Sequence, residues 1–132
     1  MRNLLDQLGL LVLRAGAGLM MATHGYAKVF EPGRMAGFAG AVSAMGFPLP
    51  WLFAWAAALS ELAGGVLLAL GLGTRPCAGL IGITMMVAAF IQHSGDPFAR
   101  KELALLYLVV MVFFVAHGGG RWALERYVRF RG

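Results

Sequence analysis

Hydrophobic positions in this chain do not alternate with polar ones; they run on. Four apolar stretches stand out, Leu4 to Val29, Pro50 to Gly73, Pro76 to Gln92 and Leu103 to His117, parted by short segments where charge, glycine and proline collect. About 20 apolar residues at about 1.5 Å rise cross a hydrocarbon core, so each stretch, lengthened by its flanks, predicts a transmembrane helix. The pattern therefore predicts an all-α membrane protein, a four-helix transmembrane bundle with spans at about 4–29, 50–73, 75–93 and 101–117 in one domain covering 1–132.

The segments between and after the spans are patterned too. In FEPGRMAGFAGAVSAMGFPLP, Glu31-Pro32 is a helix-start signal and Met35, Phe38, Val42 and Met45 recur at helical spacing, which predicts an interfacial or re-entrant helix at about 32–45 between the first and second spans. Residues 118–132, GGGRWALERYVRFRG, alternate arginine with Trp122, Tyr127 and Phe130, which predicts a basic amphipathic tail lying on an anionic inner leaflet.

Charge inside the spans changes the picture most. Glu61 is the one ionisable residue of Pro50 to Gly73. A carboxylate at a helix centre costs roughly 2.5–3.5 kcal/mol on insertion scales, so it faces protein or water and has a partner. At about 100° per residue, Ala54, Ala57, Ala58, Gly64 and Gly65 share its side of the helix, while Leu52, Trp55, Leu59, Leu62, Val66 and Leu70 form the lipid side. The first span carries Arg14 at depth, with Ala17, Gly18, Met21, Gly25 and Lys28 on its face and His24 on the flank. Two antiparallel spans with one buried acid and one buried base predict a structural ion pair, Arg14 with Glu61. In the third span Gly79, Gly82, Met86, Phe90 and His93 form one stripe; in the fourth, Tyr107 and His117 are the polar handles.

Composition agrees and narrows the alternatives. The 132 residues are 60% hydrophobic and 13% charged, with a mean hydropathy of +0.76, which leaves no room for a soluble catalytic module. A net charge of +5 could suggest nucleic acid, but the basic residues sit at helix ends as topology signals and anchors. Arg2, Arg75, Arg121, Arg126, Arg129 and Arg131 fall on one side and Lys28, Arg34, Arg100 and Lys101 on the other, which predicts both termini in the cytoplasm. Asp6 and Arg14 interrupt the first stretch, so it reads as a retained helix and not a signal peptide. Cys77 is the single cysteine, so neither an intrachain disulfide nor a CxxC redox pair is available.

This topology gathers His24, Lys28, Glu31, His93, Asp96, Lys101 and Glu102 at the outer ends of the helices. His24, Lys28, Met21, Met86 and His93 are the candidate ligand-binding residues, and His24 and Glu61 the candidate catalytic ones. Histidine and carboxylate at the membrane edge suit proton exchange with a quinone head group beside an apolar slot. The blander reading keeps a histidine at a helix end as an interfacial hydrogen-bonding residue, most clearly for His117. Copper(I) at His24, His93, Met20, Met21, Met85 and Met86 is disfavoured because no ligand pair has a diagnostic spacing, haem is likewise ranked below a quinone, and no metal site is assigned.

The runs LRAGAGLMMATHGYAKVF and FAGAVSAMGFPLPWLFAWAAALSELAGGVLLALGLGTR and the third-span ending QHSGDPF resemble the DoxX family of small four-helix membrane proteins. The most specific matches are Arg14 followed by His24, Gly25 and Lys28, and Glu61 with Gly64 and Gly65. The resemblance implies a bacterial or archaeal inner-membrane protein whose relatives include subunits of thiosulfate:quinone oxidoreductases and of membrane complexes that handle thiols and oxidative stress. It suggests a membrane subunit of an oxidoreductase complex, offering a quinone or small-ligand pocket at the outer face and working with a soluble or membrane protein partner. Two alternatives stand beside it, a proton-coupled transporter using Glu61 and a non-catalytic scaffold for a redox or metal-handling partner. Gly-rich faces also allow a homodimer.

Overall fold

A computed structural model of the chain describes residues 2–92, 95–121 and 123–126. It is all helical, with no strand among the described residues. The elements are α1 (Arg2–Phe30), α2 (Arg34–Ala44), α3 (Pro50–Leu70), α4 (Thr74–Val87), which continues as a π-helical turn over Ala88–Gln92, α5 (Phe98–His117) and a short 3-10 turn at Leu124–Arg126. Three helices, Asn3–Phe30, Pro50–Leu70 and Thr74–Gln92, are long and apolar enough to cross a membrane. The 20-residue α5 has the length, but Arg100, Lys101 and Glu102 crowd its start.

Helices α1 and α3 form the closest pair, running antiparallel, and small residues are the reason. A Cβ added to Gly18 would lie 2.5 Å from the Gly65 carbonyl oxygen and 2.6 Å from the Ala69 nitrogen, and one added to Gly25 would strike the backbone of Leu62 and Ala58. Backbones in that proximity replace the hydrophobic drive that is absent between helices in lipid. The buried side of α3 holds Ala54, Ala58, Glu61, Gly64, Gly65 and Leu68, while Leu52, Leu59, Val66 and Leu70 point outward, matching the two faces read from the sequence. Helix α4 then packs on α3, and α5 on α4. Helix α2 lies across α3 and α1, burying Met35, Ala39 and Val42 against Ala54 and Ala58. The left-handed Gly71 (φ 79°) closes α3, with the Leu72 amide bonded to Leu67 O at 2.8 Å, and turns the chain into α4.

The two ends of the bundle differ. At the tail end, where α1 begins and α5 finishes, the described residues of the basic segment, 118–121 and 123–126, make contacts beyond those its pattern predicts. They fold into the bundle: Ala123 is fully buried, the Arg121 amide donates to Gln7 Oε1 at 2.8 Å, and the Thr74 amide donates to Glu125 Oε1 at 2.8 Å. The physical reason is Arg14. Arg14 is 2% exposed, and its guanidinium donates to the Gly119 carbonyl at 2.6 Å and more weakly to Ala69 O of α3 at 3.4 Å, so the segment supplies an acceptor that lipid cannot. Trp122 and residues 127–132, including Tyr127 and Phe130, lie outside the described residues.

Candidate functional site

The opposite, loop end of the bundle holds the other buried charge. Glu61 sits in the middle of α3 on the face that meets α1, and its partner is Lys28 in the last turn of α1. Lys28 Nζ donates to Glu61 Oε1 and Oε2, both at 2.9 Å, with the carboxylate side chain 2% exposed and the lysine 22%. The Phe38 ring of α2 lies under the ammonium at 4.1 Å.

The expected pair of Arg14 with Glu61 is therefore replaced, and register explains why. Gly25 abuts Ala58 and Leu62, which brings the end of α1 level with Glu61, whereas Gly18 already abuts Gly65 and Ala69. Arg14 lies 14 residues before Lys28, or about 21 Å along a helix axis, and so reaches the last turn of α3 and Gly119 instead. Each buried charge found a partner, but not the other one.

Two clefts flank the Lys28–Glu61 pair. A first cleft of about 270 Å³ opens between α3 and α4 under α2, with Ala57, Ser60, Ile83 and Val87 on its walls. A second, of about 220 Å³, lies between α1, α4 and α5 and is lined by Met21, His24, Met85, Gln92 and Tyr107. Both include Lys28, Glu61, Phe38, Ala88 and Gln92, so the ion pair is a wall shared by two spaces. The second cleft is the more polar. His24 meets the Tyr107 ring edge-on with centroids 6.0 Å apart.

The structure brings together His24, Lys28, Met21 and Glu61. Met86 is not among them: it is half exposed, and Met85, 7% exposed, takes its place. The core stripe of α4 runs through Ala78, Ile81, Met85 and Ala89, one residue off the stripe expected through Gly82, Met86 and Phe90. Gly79 and Gly82 face Val115 and Met111 of α5, and Met86 and Phe90 turn outward. His93 lies outside the described residues. Glu31 pairs with Arg34 at the surface at 3.6 Å, and neither it nor Asp96, Lys101 or Glu102 lines a cleft. His117 stacks on Phe113 at the tail end. Among the described residues no three of His, Cys, Asp and Glu cluster closely enough to hold a metal.

Tyr107, Phe38 and Gln92 were missed as site residues. Tyr107 had a visible signal, since it is the only polar residue amid the apolar run of α5 before His117. Phe38 had none, because its place over Lys28 depends on how α2 folds back.

Residues 9–94 match the family model DoxX. The chain belongs to the DoxX family. The match runs from α1 through the π-helical turn and so includes Arg14, His24, Lys28 and Glu61, while Tyr107 and residues 118–126 lie beyond it. Among curated relatives, an uncharacterized protein of Haemophilus influenzae is 37% identical over 121 residues, covering 86% of this chain and 85% of its own. A Bacillus subtilis protein named "Putative oxidoreductase CatD" is 31% identical over 128 residues, covering 96% of this chain and 90% of its own. No solved structure gives a significant match. Family membership and the three long apolar helices make this a multi-pass membrane protein.

Proposed function

We propose that this DoxX protein is the membrane subunit of an oxidoreductase-type complex and that it binds the head group of a quinone, or a comparable small carbonyl ligand, at the Lys28–Glu61 pair. The observation that carries the reading is a buried ion pair in an apolar bundle with a cleft on each side. A pair kept only for packing has no need of open space around it. The relative named for oxidoreductase activity agrees with the class.

The chemistry follows from the donors. An ammonium has three N–H groups, and Glu61 takes two, leaving one to donate to a carbonyl oxygen. The carboxylate accepts from a hydroxyl when the ligand is in its reduced form, and His24 and Tyr107 across the second cleft are groups able to exchange protons with it. Reduction of a quinone takes two electrons and two protons. This chain supplies binding and proton exchange, and a redox centre on the partner protein supplies the electrons.

In this reading α5 is a fourth span, the loop end faces outward, and both termini lie in the cytoplasm of a bacterial or archaeal cell, as the distribution of arginine and lysine favours. The test is binding of a quinone analogue to the purified protein. Lys28→Ala is expected to weaken it at least tenfold and His24→Ala to weaken it less; equal affinity in wild type and Lys28→Ala overturns the reading.

The shared wall also favours a second reading, a proton-coupled transporter in which the pair separates two access paths. Flux into proteoliposomes driven by a pH gradient and abolished by Glu61→Gln is its test.

A further inference from the structure

The cleft between α3 and α4 is a wedge. At its narrow end, toward the tail, a Cβ on Gly64 would lie 3.4 Å from the Ile81 side chain, so the two helices are in contact. Toward the loop end the small residues Ala56, Ala57 and Ser60 of α3 face Ile83, Thr84 and Val87 of α4, and a cleft opens between the helices. The rim residues Leu80 and Ile83 and, on α3, Phe53 are 53%, 61% and 42% exposed, so the mouth opens sideways among lipid-facing side chains. Val42 of α2, Met45 just after it and Phe47 close it above.

The walls have no free hydroxyl donor for a polar occupant. Ser60 donates to Ala56 O at 2.7 Å and Thr84 to Leu80 O at 3.0 Å, each hydroxyl turned onto its own helix. Polarity is confined to one end, where Gln92 and the Lys28–Glu61 pair stand. An apolar slot, open to lipid and closed by a hydrogen-bonding pair, matches one kind of molecule: an amphiphile with a compact polar head and a single flexible chain.

Resting on the quinone reading, we propose that the α3–α4 wedge is a chain-binding subsite. The ligand enters sideways from the bilayer, its apolar chain lying between Ala57 and Ile83 and its carbonyl head reaching Lys28. Ala57 is then a specificity-determining position, since its small side chain keeps the slot open. The second cleft, with His24 and Tyr107, remains free for water to reach the pair from the other side.

Photo-labelling of the full-length protein in nanodiscs tests this. The probe is a benzoquinone carrying a ten-carbon chain with a diazirine near its end, and the competitor is the same head without a chain. Labels on Phe53, Leu80, Ile83 or Thr84 that the chainless head displaces are the expected result, and Ala57→Trp should reduce them about tenfold. Ile83→Trp, at the exposed rim, serves where Ala57→Trp does not fold. Displaceable labels elsewhere leave quinone binding intact and overturn the wedge. Wedge labels displaced by phospholipid but not by the chainless head mean a structural lipid and also overturn it. No displaceable labelling removes the quinone reading and the subsite with it.

Discussion

Glu61 and Lys28 act as one residue in energetic terms. Burial strips water from both, and two hydrogen bonds of 2.9 Å return part of that cost. Removing Lys28 leaves the 2%-exposed Glu61 charged and buried, so Lys28→Met should destabilise the protein by about 3–5 kcal/mol, and Glu61→Leu, which leaves a partly exposed ammonium, should cost less. The double variant should recover most of that loss while binding no quinone. Thermal unfolding in detergent of the two single variants and the double checks this, and additive losses would mean the residues are uncoupled. A buried carboxylate requiring a partner is evident from the sequence alone, as is the lipid-free face of small residues around it. The identity of the partner is not, because Arg14 and Lys28 lie on the same face of α1 and helical periodicity cannot choose between them.

That choice is made at the scale of helices, by glycine. Gly18 and Gly25 are seven residues apart, two turns of α1, and they meet the backbone of α3 at Gly65 and at Ala58–Leu62. The contacts fix how far one helix slides along the other. Gly25→Ala should therefore part α1 from α3 at the level of the pair and cost about 1–3 kcal/mol, with weaker ligand binding. Gly9→Ala, on the same helix with open space at its Cβ, should leave binding unchanged and raise stability slightly through helix propensity, and a melting comparison of the two variants is a direct check. Helix α4 shows the limit of periodicity in another way. Its sequence supports a Gly82–Met86 stripe and an Ile81–Met85 stripe about equally, and only contact with both α3 and α5 selects the second.

For the molecule as a whole, the all-helical architecture and three long apolar helices follow from hydrophobic run lengths, and the docking of residues 118–121 and 123–126 does not. The arginines and aromatics of residues 118–132 look like a surface tail. What overrides that pattern is demand from elsewhere: Arg14 needs acceptors, and Gly119, whose missing side chain leaves room beside Thr74 and Ala123, supplies one. Truncation after His117 should uncover this end. The single cysteine, Cys77, is buried close by, and it should become reactive toward a water-soluble maleimide in the truncated protein while staying protected in the full chain. Unchanged protection would show that α1, α3 and α4 close this end unaided.

The Arg14–Gly119 bond also bears on how the protein is made. Its two residues are 105 positions apart, and at about 5–20 residues per second the ribosome needs roughly 5–20 seconds to go from one to the other. For that interval the arginine is synthesised but its acceptor is not. The nascent first helix must spend the wait against the insertion machinery or with its guanidinium drawn toward water, and final assembly must follow synthesis of α5.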